Sequence, residues 1–216
     1  MLTKLKQKVQ QLLSSEARAA HSIGLTPNVV TVFGFVLSFF AAIAYALVMT
    51  PSKPYLLLVA VVLLMASGFC DTLDGILART YQQATAFGGF LDSLLDRYAD
   101  AFMFAGIIIS GACNLLAGLA ALASSLMVSY SRARAEAMGI KMESIGIAER
   151  PERIIILAAS SLVAIFWFPA LNIGVIIIAL LAAVTVLQRG MYVYKSTKSH
   201  SREQKEEIRQ EVKMPV

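Results

Sequence analysis

The chain has 216 residues, 57% of them hydrophobic and 15% charged, with a formal net charge of +5. Soluble domains carry roughly one-quarter charged residues, so this balance excludes an ordinary soluble globule and puts a membrane protein first. Six apolar runs, at 27–49, 55–78, 87–110, 112–137, 152–169 and 170–193, each approach the roughly 20 residues a helix needs to cross the hydrocarbon layer, and none alternates as a barrel strand would. The expected fold class is therefore all-α: a polytopic membrane protein with six transmembrane helices.

Ahead of the first run, Leu2, Leu5, Val9, Leu12 and Leu13 fall at helical spacing among Lys and Gln. This pattern predicts an N-terminal amphipathic juxtamembrane helix within 1–22, lying on the membrane with a cationic face. Thr26 followed by Pro27 reads as N-cap and first helical residue of span one. That run lacks the short apolar region and small-residue cleavage site of a removable leader, so it is expected to stay in the mature chain. The connections at 50–54, 111–114 and 168–172 are short, and Tyr55 and Trp167 beside them fit an aromatic belt. Cys70 and Cys113 fall near opposite membrane faces and are expected as free thiols. The stretch 196–216 is mixed in charge and reads as a frayed or surface helix, not a second domain.

With six spans, Lys4, Lys6, Lys8, Arg18, Arg79, Arg132, Arg134, Lys141, Arg150, Arg153, Arg189 and the tail fall on one side, and Lys53 falls on the other. The positive-inside rule then places both termini in the cytoplasm, with the protein in the cell membrane. A basic rim beside anionic headgroups accounts for the net charge without a nucleic-acid partner.

Four acids carry the chemistry. An intramembrane aspartate costs roughly 2.5–3.5 kcal/mol at the helix centre on insertion scales, so such residues mark function. Asp71 and Asp74 are three apart on the second run, and Asp92 and Asp96 are four apart on the third, spacings that put each pair on one helix face. Two helices joined by a short hairpin then aim four carboxylates into one volume, where cations must offset their repulsion. Hard oxygen donors suit Mg²⁺, Mn²⁺ or Ca²⁺; no His or Cys cluster is present for zinc. Gly75, Gly88 and Gly89 remove side chains where a phosphate-bearing ligand would approach, and Arg79 supplies a fixed positive charge nearby. Read singly, the same glycines serve helix packing and Arg79 snorkels to the headgroups.

The run from Asp71 to Asp96 fits D-x2-D-G-x2-A-R-x8-G-x3-D-x3-D through Asp71, Asp74, Gly75, Ala78, Arg79, Gly88, Asp92 and Asp96. On those residues the chain resembles the CDP-alcohol phosphatidyltransferases, and the layout of spans extends the resemblance over about 24–195. The resemblance implies a homodimer of six-helix domains, here 23–195, with a polar cavity open to the cytoplasm. It implies two Mg²⁺ or Mn²⁺ ions in a site built from Asp71, Asp74, Asp92 and Asp96, with the first three as ligands and Asp96 as catalytic base. CDP-lipid binding would fall to Asn28, Thr31, Asp71, Asp74, Gly75, Ala78, Arg79 and Gly88; Asn28 and Thr31 match a Pro-Asn-x-x-Thr start to the first span. Asn28 reads equally well as a helix-start residue bonding nearby backbone.

Ser129, Arg132 and Arg134 end the fourth run, Arg150 and Arg153 open the fifth, and Arg189 closes the sixth. Guanidinium groups pair bidentately with phosphate, whereas the positive-inside rule alone also puts arginines here. The stretches SYSRARAEAMG at 129–139, ERPERIII at 149–156 and TVLQR at 185–189 resemble the phosphatidylinositol-phosphate and archaetidylinositol-phosphate synthase branch. This implies CDP-diacylglycerol or CDP-archaeol as donor and inositol 1-phosphate as acceptor, its phosphate on Ser129, Arg132, Arg153 and Arg189. Arg132 stands where that branch has Lys. A phosphatidylglycerophosphate synthase using glycerol 3-phosphate would want the same arginines. A cation transporter is the reading from another class, disfavoured because the acids gather at one membrane end and no internal repeat is present.

Overall fold

The computed structural model describes residues 14–48, 53–142 and 145–211, with side chains described between 15 and 198 of these. Among the described residues all regular structure is helical: α1 (Ser14–Ser22), α2 (Pro27–Ala46), α3 (Pro54–Thr80), α4 (Ala86–Ile109), α5 (Leu115–Glu136), α6 (Arg150–Ala164) and α7 (Pro169–Glu211).

Helices α2 to α7 occupy the six apolar runs. Four are long and apolar enough to cross a membrane: α2, α3, α5 and the Pro169–Lys198 part of α7. The other two fall short of that measure for different reasons. Asp92, Asp96, Arg97 and Asp100 load α4 with charge, and α6 has only 15 residues, about 22 Å at 1.5 Å per residue. At the tail, α7 continues as one helix to Glu211. No glycine or proline falls between Met191 and Glu211 to end it.

Local signals fix the helix starts. Thr26 is the extended N-cap of α2 with Pro27 behind it, but its side chain makes no cap bond. Its carbonyl accepts the Val29 and Val30 amides instead. Thr85 Oγ1 accepts the Gly88 amide at 2.9 Å to cap α4. Asn114 Oδ1 accepts the Leu116 and Ala117 amides at the head of α5, while the Asn114 amide donates to Asn172 Oδ1 of α7 at 2.8 Å.

Helix α2 packs against both α3 and α4, α3 also meets α6, and α7 joins α5 to α6. Small residues permit the closest approaches: a methyl on Gly34 would sit 2.9 Å from Cys70 Cβ, and one on Gly106 would collide with the Ala42 carbonyl. Inside the bundle, the buried hydroxyls of Tyr45 and Ser161 join at 2.7 Å. Cys70 and Cys113 are buried free thiols, as expected. Outward faces carry Phe33, Phe40, Val62, Leu180 and Leu187 in the open, a distribution that suits lipid and not water.

The predicted amphipathic residues Leu2, Leu5, Val9, Leu12 and Leu13 lie outside the described residues. The described end of that segment, α1, buries Ala17 and Ala20 in one cluster with Leu73, Ile76 and Leu77 of α3. His21 stacks on Tyr81 with ring centres 3.7 Å apart. Helix α1 therefore backs α3 at the stretch that carries the aspartates.

Candidate active site

Helix α2 contributes Asn28 and Thr31, α3 contributes Asp71, Asp74, Gly75, Ala78 and Arg79, and α4 contributes Gly88, Asp92 and Asp96. One cavity between these helices is lined by Thr31, Asp71, Asp74, Asp92, Asp96 and Arg150, among others. Carboxylate oxygens of Asp71, Asp92 and Asp96, all half-buried, lie within 4.8 Å of one another. Asp74 stands apart from that trio: it is 6% exposed, and its Oδ2 accepts a 2.6 Å hydrogen bond from Thr31 Oγ1. The helical spacings thus bring the four acids to one cavity, but they group Asp96, not Asp74, with Asp71 and Asp92.

The glycines have assignable neighbours. A methyl on Gly88 would lie 2.8 Å from Asn28 Oδ1 and 3.0 Å from Thr85 Oγ1, so the missing side chain lets Asn28 reach the head of α4. A methyl on Gly75 would lie 3.3 Å from the Arg79 guanidinium, which folds back over the same turn. Gly89 faces open space, so it serves no close approach within the chain. Arg79 is exposed and Ala78 half-buried.

Two residues belong to this site that sequence reasoning did not assign to it. Arg150 Nη1 lies 2.7 Å from Asp96 Oδ1 and 3.1 Å from Asp71 Oδ1, and its Nε is 3.4 Å from Asp100 Oδ1. Asp100 is 8% exposed, and its Oδ2 accepts a 2.7 Å bond from Arg153 Nη2. Asp92, Asp96 and Asp100 recur every four residues, so continuing the stripe by one turn would have found Asp100. Nothing local would have put Arg150 against Asp71, 79 positions earlier.

The donor set fits a hard divalent cation. Three carboxylate oxygens converge, and Asp92 Oδ1 is buried without a hydrogen-bond partner, an orphaned acceptor of the kind a cation satisfies.

Of the four residues expected to hold an acceptor phosphate, Arg153 and Arg189 bond the 145–149 connection. Ser129 is half-buried, and Arg132 is half-exposed with its Nε donating to Glu136 Oε1 at 2.9 Å. Arg153 and Arg189 are not free in this arrangement. Arg153, 4% exposed, donates to the Ala148 carbonyl at 3.2 Å besides Asp100. Arg189, 2% exposed, donates to the Ile145 carbonyl at 2.8 Å and to the Val128 carbonyl, and its Nη2 lies 3.5 Å from Glu149.

Comparison with known proteins gives this geometry its context. Over 182 residues the chain is 44% identical to the archaetidylinositol phosphate synthase of Methanothermobacter thermautotrophicus, covering 83% of this chain and 88% of the relative. It superposes on a crystal structure of Mycobacterium tuberculosis phosphatidylinositol phosphate synthase with CDP-DAG bound at a TM-score of 0.74 and 32% identity, covering 85% and 94% of the two chains. The same synthase in complex with manganese and citrate matches at a TM-score of 0.74 and 32% identity, covering 84% and 88%. Residues 24–187 match the sequence model of the CDP-alcohol phosphatidyltransferases, and this chain belongs to that family.

Proposed function

We propose that the protein transfers the lipid-phosphate group of CDP-diacylglycerol or CDP-archaeol to inositol 1-phosphate, releasing CMP, at the cytoplasmic face of the cell membrane. The observation that carries this reading is the convergence of Asp71, Asp92 and Asp96 within 4.8 Å beside the buried Asp74. The catalytic unit would be 23–195 in six spans, paired as a homodimer, with 1–22 and 196–216 as cytoplasmic juxtamembrane helix and tail.

Two Mg²⁺ or Mn²⁺ ions held by the Asp71, Asp74, Asp92 and Asp96 set would neutralise the pyrophosphate and stabilise the departing CMP. The chain's own groups do the rest. Thr31 fixes the rotamer of Asp74, and Asn28, Gly75, Ala78, Arg79 and Gly88 shape the approach for the CDP moiety. The acceptor hydroxyl attacks the lipid-side phosphorus, the bond from that phosphorus to the CMP oxygen breaks, and the hydroxyl proton passes to Asp96. Ser129 and Arg132 meet the acceptor phosphate at the mouth. Arg153 and Arg189 place buried positive charge beneath it, and direct contact from either requires exchanging a present partner.

The test is CMP release from purified protein given CDP-lipid and one acceptor at a time. Inositol 1-phosphate should support turnover and unphosphorylated inositol should not. Faster turnover with glycerol 3-phosphate would assign the protein to the glycerophosphate branch, and no CMP release with any alcohol would remove the transferase reading.

A further inference from the structure

Arg150 has no task in the chemistry above, yet it reaches into the acidic cluster. Its Nη1 lies within 2.7 and 3.1 Å of Asp96 Oδ1 and Asp71 Oδ1, two of the three carboxylates that converge within 4.8 Å. That nitrogen is buried but makes no aligned hydrogen bond, so charge and not fork geometry holds it there. The third member, Asp92, keeps a buried oxygen without a partner. A hard divalent ion held in this cluster would share the space between these carboxylates with Nη1. There a double and a single positive charge repel strongly in a half-buried site.

We propose that Arg150 is the resident cation of the acidic cluster, holding Asp71 and Asp96 together until divalent metal displaces it. The idea rests on the reading of this acidic cluster as a metal site, with Asp71 and Asp92 among the ligands and Asp96 beside them. Asp100 is the tether that makes the exchange local. Its Oδ1 lies 3.4 Å from Arg150 Nε, while its other oxygen is committed to Arg153. A guanidinium that leaves Asp71 and Asp96 thus keeps one anionic partner and swings without leaving the site. Arg97 does not substitute for it: its guanidinium approaches Asp96 Oδ2 only to 3.9 Å and is bonded to the Ser93 carbonyl.

Mn²⁺ binding to the full chain in detergent, followed by electron paramagnetic resonance of the free ion, tests the exchange. Arg150→Gln should tighten the dissociation constant by roughly tenfold or more, because metal no longer displaces a cation. Arg150→Lys and Arg97→Gln should each stay within about threefold of wild type, since the first keeps the charge and the second removes a more distant one. In the untouched protein, an arginine-specific dicarbonyl reagent with peptide mass spectrometry should label Arg150 faster once Mn²⁺ is added, a readout that survives if Arg150→Gln fails to fold. An unchanged or weaker Mn²⁺ affinity in Arg150→Gln overturns the proposal, as does equal protection of Arg150 with and without Mn²⁺. If Asp92→Asn abolishes saturable binding while Arg150→Gln leaves it unchanged, the metal site stands and the exchange falls. Absence of saturable binding in the wild type removes both.

Discussion

Replacing Arg189 by alanine should cost the protein stability before it costs any acceptor affinity. Its side chain is 2% exposed and donates to the carbonyls of Ile145 and Val128, with Glu149 at 3.5 Å. A hydrogen bond from a charged donor contributes about 1.5–3 kcal/mol, and the Val128 carbonyl would keep the Ser131 hydroxyl as a donor. Two such bonds place the loss at about 3–6 kcal/mol; the Glu149 contact adds little at its length and exposure. For a chain of this size each kcal/mol moves the midpoint by roughly 2–4 °C, so Arg189→Ala should melt on the order of 10 °C below wild type by size-exclusion thermostability in detergent. Arg189→Lys should recover part of that loss, because one ammonium keeps the charge but cannot span two carbonyls and Glu149 in a fixed fork. A wild-type melting point in Arg189→Ala, with the whole effect on the Michaelis constant for inositol 1-phosphate, would refute the reasoning. It would make Arg189 a phosphate ligand whose backbone contacts contribute nothing.

Two further outcomes follow from the aspartates. Thr31→Val keeps the shape of the side chain but leaves Asp74 Oδ2 without its 2.6 Å donor, so CMP-release kinetics should show kcat/KM for CDP-lipid down by roughly tenfold to a hundredfold; an unchanged value would mean that Thr31 does not position Asp74. Asp96→Asn should lower kcat by about 10²–10⁴-fold while the Michaelis constant for CDP-lipid stays near wild type, as for a lost general base; if it instead abolished Mn²⁺ binding as Asp92→Asn does, Asp96 would be a ligand, consistent with its grouping beside Asp71 and Asp92.

Much of the fold was legible because each helix carries its own evidence. Pro27, Pro54 and Pro169 stand at helix starts, and apolar length marked the runs. Composition and length single out four of the six runs as spans. Helix α4 is charged because three aspartates recur along one stripe, and the 15 residues of α6 include Arg150 and Arg153 in its first turn. The four-residue periodicity made Asp92 and Asp96 readable as a pair. The separation of Asp74 from the other three acids was not readable, because it depends on Thr31, 43 residues before Asp74.

The arginines show where a local pattern stops carrying information. A guanidinium at the inner end of a span satisfies the positive-inside rule whatever it touches, and it also satisfies a phosphate-pocket reading. The structure adds a third use that neither reading contained. Arg153 neutralises Asp100 from 53 residues away, and Arg189 ties carbonyls that are 44 and 61 residues distant. Both hold the 145–149 connection, and that connection runs directly into Arg150 at the head of α6. A site whose four carboxylates must tolerate one another without metal needs positive charge in the right place, and Arg150 is in place only if this connection is. The buried arginines thereby act on the acidic cluster through backbone geometry. A substitution at Arg189 should therefore perturb metal binding as well as melting, whereas one at the half-exposed Arg132, bonded among the described residues to Glu136 on its own helix, should leave both alone.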